Sequence, residues 1–396
     1  MITKELIQHK SAELLDELIG IRRHLHQYPE LSFQEEHTAN YISELLTRWG
    51  VEHQRGIAGH GIIGLIKGRN PEKRTIALRA DMDALPITET SKIPYKSMNT
   101  GVMHACGHDV HMTCLLGSIK ILHELRNEFE GSVKFIFQPA EENLPGGAKH
   151  MISEGVLNNP DVEMIIGQHV LPELASGKIG IRSGIYMASS DEINLIISGK
   201  GGHGAMPKMF NDTVLAMAQM IVSLQQIVSR KAPPQIPTVL SFGKVIADGA
   251  HNVIPSEVKI HGTFRTFDED WRKEAHQLIK QTAHYTAKAF SVECKVIIDS
   301  GYPVLVNDHE ETEFVRQNAS FYLGDEQVSD LEIRTTVEDF AYYLQKVPGC
   351  FYRLGIRNED KNIVSNLHTD TFDIDEKAIE TGTGLMTWLT LQRLDK

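Results

Sequence analysis

Residues 103–111 read Met-His-Ala-Cys-Gly-His-Asp-Val-His, which puts three histidines, a cysteine and an aspartate into one short run. No other stretch of the 396-residue chain gathers so many side chains able to ligate a metal. Imidazole and thiolate suit zinc and related divalent ions. Cys106 and His108 are two positions apart, where a loop meets a helix, so both can face one cleft. A helix N-terminus favours a thiolate there, and a metal favours it far more. The plainer alternative is a buried cysteine beside surface histidines. His104, His111 and Cys114 are better suited to packing or to supporting the ligands than to ligation itself.

A second signal is Gln138-Pro139-Ala140-Glu141-Glu142, two adjacent acids directly after an apolar strand. Unpaired acids at such a place are costly unless something binds them, and strand ends are where open α/β sheets build their sites. Adjacent residues rarely share one role. The pair therefore divides into one ligand and one general base for water activated by a metal. A solvated acidic loop is the alternative, weakened by the tight turn that Gly146-Gly147-Ala148 provides. His169 ends the apolar run Met164–Gln168, and His368 follows a polar loop; neither carries a signal alone. Taken together, these residues predict a metal-dependent hydrolase with one carboxylate left over as the base.

Elements must hold these residues. Leu14, Leu15, Leu18, Ile21 and Leu25, then Ala39, Ile42, Leu45 and Leu46, have helical spacing, with a break at Tyr28-Pro29. Strands are expected at 61–66, 74–79, 133–138 and 164–170, and helices at 108–126 and 147–153. Such alternation predicts an α/β layer with a mostly parallel sheet. Past residue 180 the pattern changes: strand 192–198, a glycine-rich loop 199–204, helix 213–229, strands 239–245 and 257–266, helix 268–290, strand 291–298. That is the order of a ferredoxin-like β-α-β-β-α-β unit. The α/β pattern then returns, with helices near 310–322 and 338–346 and a strand at 349–355. The expected division is 1–184 and 299–396 for a catalytic domain and 185–298 for an inserted one.

Composition narrows the function classes. With 41% hydrophobic and 23% charged residues the chain is ordinary globular material, long enough for two cores. A net charge of −12 with no long basic run argues against nucleic acid or an anionic membrane as partner. The N-terminal residues lack the apolar core of a secretion signal, and no stretch approaches the roughly 18 apolar residues of a membrane span. Four cysteines, Cys106, Cys114, Cys294 and Cys350, do not suggest a disulfide scaffold, so a reducing cytoplasm is expected.

With these motifs quoted, the chain resembles the amidohydrolase branch of the aminoacylase and carboxypeptidase metallopeptidases. That branch includes hippurate hydrolases, indoleacetyl-amino-acid hydrolases and N-acetyl-diaminopimelate deacetylases. The likeness rests on Arg23–Ser32, Leu78–Pro86, Met103–Asp109, Gln138–Glu142, Gly201-Gly202-His203, Asn252–Pro255, Glu338-Asp339-Phe340 and Leu367-His368-Thr369, in the family's order across nearly the whole chain. It implies an α/β zinc-peptidase-like catalytic domain with an inserted ferredoxin-like lid and dimerisation domain. It implies two divalent metals, zinc or manganese, bridged by Cys106. Glu142 and His368 would complete one site, His108 and His169 the other. Glu141 would be the general base. His203 would reach a neighbouring subunit's site to stabilise the oxyanion, and Asn252 would help hold the substrate, an N-acyl amino acid.

One departure stands out. Many members of the wider family carry a histidine ligand where this chain has Asp81, and an aspartate bridge where it has Cys106. The branch shares both changes. Asp83 then reads as a residue that orients a ligand. Three readings follow: a binuclear amidohydrolase of N-acyl amino acids, with a dipeptidase or carboxypeptidase as its variant within the family; a thiol hydrolase with Cys106 as nucleophile and His108 or His104 as base; and a non-catalytic protein with a saturated metal site. The spare Glu141 argues against the last.

Overall fold

A computed structural model describes residues 2–396. The chain divides into two compact units, one of Met1–Tyr186, Val306–Glu332 and Asp339–Lys396, the other of Met187–Leu305 and Ile333–Glu338. In chain order the elements are α1 (Lys4–Gln27), α2 (Glu36–Arg48), β1 (His53–Ile57), β2 (Gly61–Lys67), β3 (Thr75–Asp81), α3 (His108–Glu124), β4 (Ser132–Gln138), α4 (Gly147–Ser153), β5 (Met164–Ala175), β6 (Ile179–Ile181) and β7 (Gly184–Met187). Then come β8 (Asp191–Ser198), β9 (Gly202–His203), α5 (Thr213–Gln226), β10 (Thr238–Ile246), β11 (Val253–Ile254), β12 (Glu257–Thr266), α6 (Glu269–Ala289) and β13 (Glu293–Ser300). The chain closes with β14 (Leu305–Asn307), α7 (His309–Leu323), β15 (Val328–Asp330), α8 (Ala341–Leu344), β16 (Gly349–Arg357) and α9 (Ala378–Asp395).

The first unit is built on an eight-stranded sheet in the order β1-β2-β4-β3-β5-β16-β6-β15. Its centre, β4, β3, β5 and β16, is parallel, while β1, β2 and β6 join antiparallel. Every residue of β3 and β4 is buried, as expected of strands covered on both faces. Buried charges in them need partners. The Lys134 ammonium on β4 donates to the carbonyls of Val156, Asn158 and Pro160 at 2.7–3.1 Å, which lets an amine sit in a strand read as apolar. The helices α1, α3 and α9 pack against one another.

Two helices differ from expectation. α9 carries buried residues all round, from Ala378 through Leu385 and Trp388 to Leu394, so it lacks the one-sided apolar stripe by which a helix shows in sequence. The helix expected at 338–346 is only Ala341–Leu344; Asp339, just before it, gives its carboxylate to Arg79, Gln138 and the Ala148 amide.

In the second unit β8 alternates: Ile193, Leu195 and Ile197 are buried, while Glu192, Asn194 and Ile196 are less so. That two-residue period turns one face toward α5 and α6. The sheet order is β10-β12-β8-β13, antiparallel throughout. Numbered within the unit this is second-third-first-fourth, the ferredoxin-like arrangement, inserted in the chain of an α/β domain.

Its buried polar anchor is Asp191. Arg272 on α6 grips both carboxylate oxygens at 2.6 and 3.0 Å, and His276 adds a contact at 2.7 Å. Burial pushes the Asp191 carboxyl up, but the bonds to His276 and Arg272 more than offset this and hold it below the usual carboxylate range. Its contribution is therefore complete above the unfolded value of about 3.9 and fades only as pH falls through the lower folded value. Arg272→Met should destabilise this unit by about 3–5 kcal/mol at pH 7, since it strands a buried carboxylate. In urea melts at falling pH, the deficit should shrink as the stranded Asp191, no longer held low by Arg272, takes up its proton. A deficit unchanged with pH would place the loss in packing instead.

Candidate metal centre

The site forms where the parallel strands end at their carboxyl side. β3 delivers Asp81 and then Asp83, and β4 delivers Glu141 and Glu142 three and four residues past its last member. β5 pairs with β3 only as far as Gly167, and His169 lies just beyond. The fourth contribution is the start of α3. Gly107, its N-cap, has φ +80°, and a Cβ there would meet Val170 Cγ2 at 2.5 Å. Only glycine suits both the left-handed turn and the close approach. Cys106 and His108, on either side of it, are thus turned onto one spot.

The structure brings five candidate ligands together. Donor atoms of Cys106, His108 and His169 lie within 4.8 Å of one another, and so do those of Cys106, Glu142 and His368. Cys106 is common to both groups. Its Sγ is 3.5 Å from His169 Nε2 and 3.3 Å from His368 Nε2, and Glu142 Oε1 is 3.3 Å from His368 Nε2. Glu141 joins a third group with His108 and Glu142 and is itself buried.

Several observations fit this set to divalent cations. Nε2 of His108 and Oε1 of Glu142 are buried without a hydrogen-bond partner, an expensive state unless an ion completes them. His169 Nδ1 lies 2.7 Å from the Val170 carbonyl. A carbonyl only accepts, so Nδ1 bears the proton and Nε2 keeps its lone pair toward Cys106, the arrangement of a metal-ligating histidine. Burial, then Arg353, holds the His169 imidazole well below its ordinary value and neutral. For His108 burial pulls down, but Asp81, Asp83 and Glu142 more than reverse it, to about 10; the acids around it call for positive charge. Burial raises the Cys106 thiol well above its usual range, and Glu142 and Glu141 raise it further.

Asp83 holds the acidic turn in place. Its Oδ1 accepts from the Glu141 amide at 2.9 Å, and Oδ2 from the Glu142 amide at 3.0 Å and the Ser32 hydroxyl at 2.6 Å; Oδ1 also lies 3.4 Å from His108 Nδ1. One carboxylate thus orients both acids and one imidazole. Ala140, just before them, has φ +53°, and its amide donates to Glu35 Oε1 at 2.8 Å. Gly147 closes the turn on the Ala140 carbonyl, and a Cβ at Gly147 would lie 1.8 Å from the Pro139 oxygen.

Asp81 points elsewhere: one oxygen meets Arg79, the other lies 2.6 Å from His111 Nδ1. His104 and Cys114 are buried with His111; His104 has no partner at either ring nitrogen, and burial holds it neutral at about 3. Behind α3, buried Asp109 accepts from Arg22 at 2.8 Å and lies 2.9 Å from His26 Nδ1. The sequence reading missed Glu35, Arg22 and His26. A signal existed for the last two, charged groups spaced four apart on the same stripe as Leu18 and Leu25.

His203 and Asn252 belong to the inserted unit. β9 pairs with β11, placing His203 opposite Val253, and the Asn252 carbonyl accepts from the Gly204 amide at 2.8 Å. Both side chains are exposed. His203 Nδ1 accepts from the Ala205 amide at 3.1 Å, which leaves the proton of the neutral ring on Nε2, ready to be donated.

Fold and donor set together define a metal-dependent hydrolase. The chain belongs to Peptidase family M20/M25/M40, which matches residues 77–392. It is 43% identical over 309 residues to an N-acyl-L-amino acid amidohydrolase of Geobacillus stearothermophilus, covering 78% of this chain and 83% of that one. To the N-acetyl-L-cysteine deacetylase of Bacillus subtilis it is 40% identical over 363 residues, covering 92% and 85%. Among solved structures, the Bacillus subtilis YXEP protein, described as a dinuclear metal binding peptidase from the M20 family, superposes with a TM-score of 0.84 at 34% identity over 97% of this chain and 99% of that one.

Proposed function

We propose that the protein hydrolyses the amide bond of N-acyl amino acids with two divalent ions per chain. The observation that carries this is the pair of donor groups sharing Cys106, with Glu141 beside them. Cys106, Glu142 and His368 would hold one ion and Cys106, His108 and His169 the other. Bound there, such ions lower the pKa of water and polarise a carbonyl oxygen. Glu141 takes the proton of the attacking water and returns it to the leaving amine. Asp83 keeps Glu141 and Glu142 at fixed positions through their amides. Thiolate and imidazole favour zinc and Glu142 admits manganese. A buried thiol that Glu142 and Glu141 push upward is a poor unassisted nucleophile, which weighs against the thiol-hydrolase reading.

We place self-association and substrate closure on the inserted unit. Its edge strand β10 and helix α5 expose Val239, Val245, Ile246, Leu215 and Val222, surface that a second copy would cover. There His203 Nε2–H would donate to the oxyanion in the partner's site, with Asn252 beside it. His203→Ala should spare metal content and lower kcat about 10²–10³-fold, the usual loss for one oxyanion donor. Mixing inactive Glu141→Gln with inactive His203→Ala chains should restore activity through hybrid dimers holding one intact site. No recovery despite verified exchange would sink the cross-subunit role. Among the described residues, no helix is long and apolar enough to cross a membrane; the cytoplasmic setting we propose rests on the four unpaired cysteines.

The substrate class is tested by assaying amine release from N-acetyl, N-benzoyl and longer N-acyl amino acids, with dipeptides as the contrast, using protein loaded with zinc or manganese. Cleavage of dipeptides alone would replace this reading with the peptidase one. Activity that survives chelation would overturn metal dependence.

A further inference from the structure

His111 shares the motif of Cys106 and His108, and with Asp81 and His108 it forms another set of donors within 4.8 Å. By proximity alone that set would hold an ion. The hydrogen bonds say otherwise. The Val170 amide points at His111 Nε2 at 2.9 Å. A backbone N–H can only donate, so Nε2 carries no proton and its lone pair is already in use. The proton is then on Nδ1, which donates to Asp81 Oδ1 at 2.6 Å. The other oxygen of Asp81 is held by Arg79, whose guanidinium also binds Gln138 and Asp339. An ion in this set would sit beside a buried guanidinium and would have to break both bonds of His111.

Both backbone polar groups of Val170 are held by a histidine. Its N–H goes to His111, and its carbonyl receives His169 Nδ1–H at 2.7 Å. The His111 ring is 4.6 Å from that of His169 and 5.4 Å from that of His108. At this point β5 has lost the pairing with β3, which stops at Gly167, so the ladder on that side no longer fixes Val170, the residue that orients His169. His111 stands in for it.

We propose that His111 is a positioning residue: by accepting the Val170 N–H while anchored through Asp81 to Arg79, it fixes the Val170 backbone, whose carbonyl aims His169 Nε2 at the metal shared with His108. This rests on the two-ion reading above. It also gives Asp81 a role, as the anchor of the residue that aims a ligand.

Two variants separate the arms of His111, because a glutamine amide reaches where Nε2 was and an asparagine amide where Nδ1 was. His111→Gln keeps an acceptor for Val170 N–H, whereas His111→Asn keeps only a donor for Asp81. Metal-free protein is titrated with cobalt(II), and bound metal and the visible cobalt spectrum are followed. His111→Asn should lose about 10–100-fold in affinity for one of two ions and change the cobalt bands, the usual scale for removing such a support. His111→Gln should hold both ions within a few-fold of the parent. Melting of the metal-free forms shows whether each variant folds. If His111→Asn does not fold, His111→Gln decides alone, and its failure to retain the second ion overturns the proposal. So would His111→Asn binding both ions with an unchanged spectrum. A parent protein that takes up fewer than two ions would refute the two-ion reading itself, a distinct result.

Discussion

Replacing Glu141 with glutamine should leave both ions bound and lower kcat by about 10²–10⁴-fold, the usual contribution of a general base. The change preserves size and one hydrogen-bonding oxygen but removes the ability to take a proton. It should not disturb the turn, because Asp83 holds this residue through its backbone amide at 2.9 Å and not through its side chain. Glu142→Gln makes the contrast. Its carboxylate belongs to a ligand group with Cys106 and His368, so that variant should lose metal as well as turnover. Metal analysis and steady-state kinetics on the two variants separate the roles. Near-parental kcat in Glu141→Gln would remove it as the base; equal metal loss in both would make it a ligand.

The site was legible in sequence to the extent that chemistry is local. Cys106, Gly107 and His108 are neighbours, and the glycine between them both turns the chain and makes room for Val170. Glu141 and Glu142 follow an apolar strand, which announces a strand end. His169 and His368 carry no local signal, since what makes them candidate ligands is their approach to Cys106 from distant strands and loops. The same holds for Glu35, whose bond to Ala140 spans more than a hundred residues, and for His111, whose role depends on where the β3–β5 pairing stops. Alternating strands such as β8 and one-sided helices such as α2 showed plainly, because period and burial coincide there. α9 did not, because it is buried all round, and the short β6 and β15 did not, because three residues hold no period.

Cys106→Ala should cost more than any other single ligand change. Cys106 is the donor common to both groups, so its loss weakens both ions where Glu142, His169 or His368 would weaken one. Bound metal should fall from two per chain to one or fewer, and kcat should fall at least as far as in Glu141→Gln. The buried setting sharpens the effect. With the thiol gone, Glu142 and Glu141 face one another with less cation between them. Their mutual repulsion has to be relieved by proton uptake or by opening of the turn. Cys106→Asp tests the reason, because a carboxylate supplies the bridging role and the charge that alanine lacks. Aspartate should therefore recover metal that alanine loses. If Cys106→Ala instead keeps its full metal complement and loses only activity, the sulfur is attacking substrate and the thiol-nucleophile reading takes over. If aspartate recovers nothing, the site depends on sulfur itself, and zinc becomes the ion to expect over manganese.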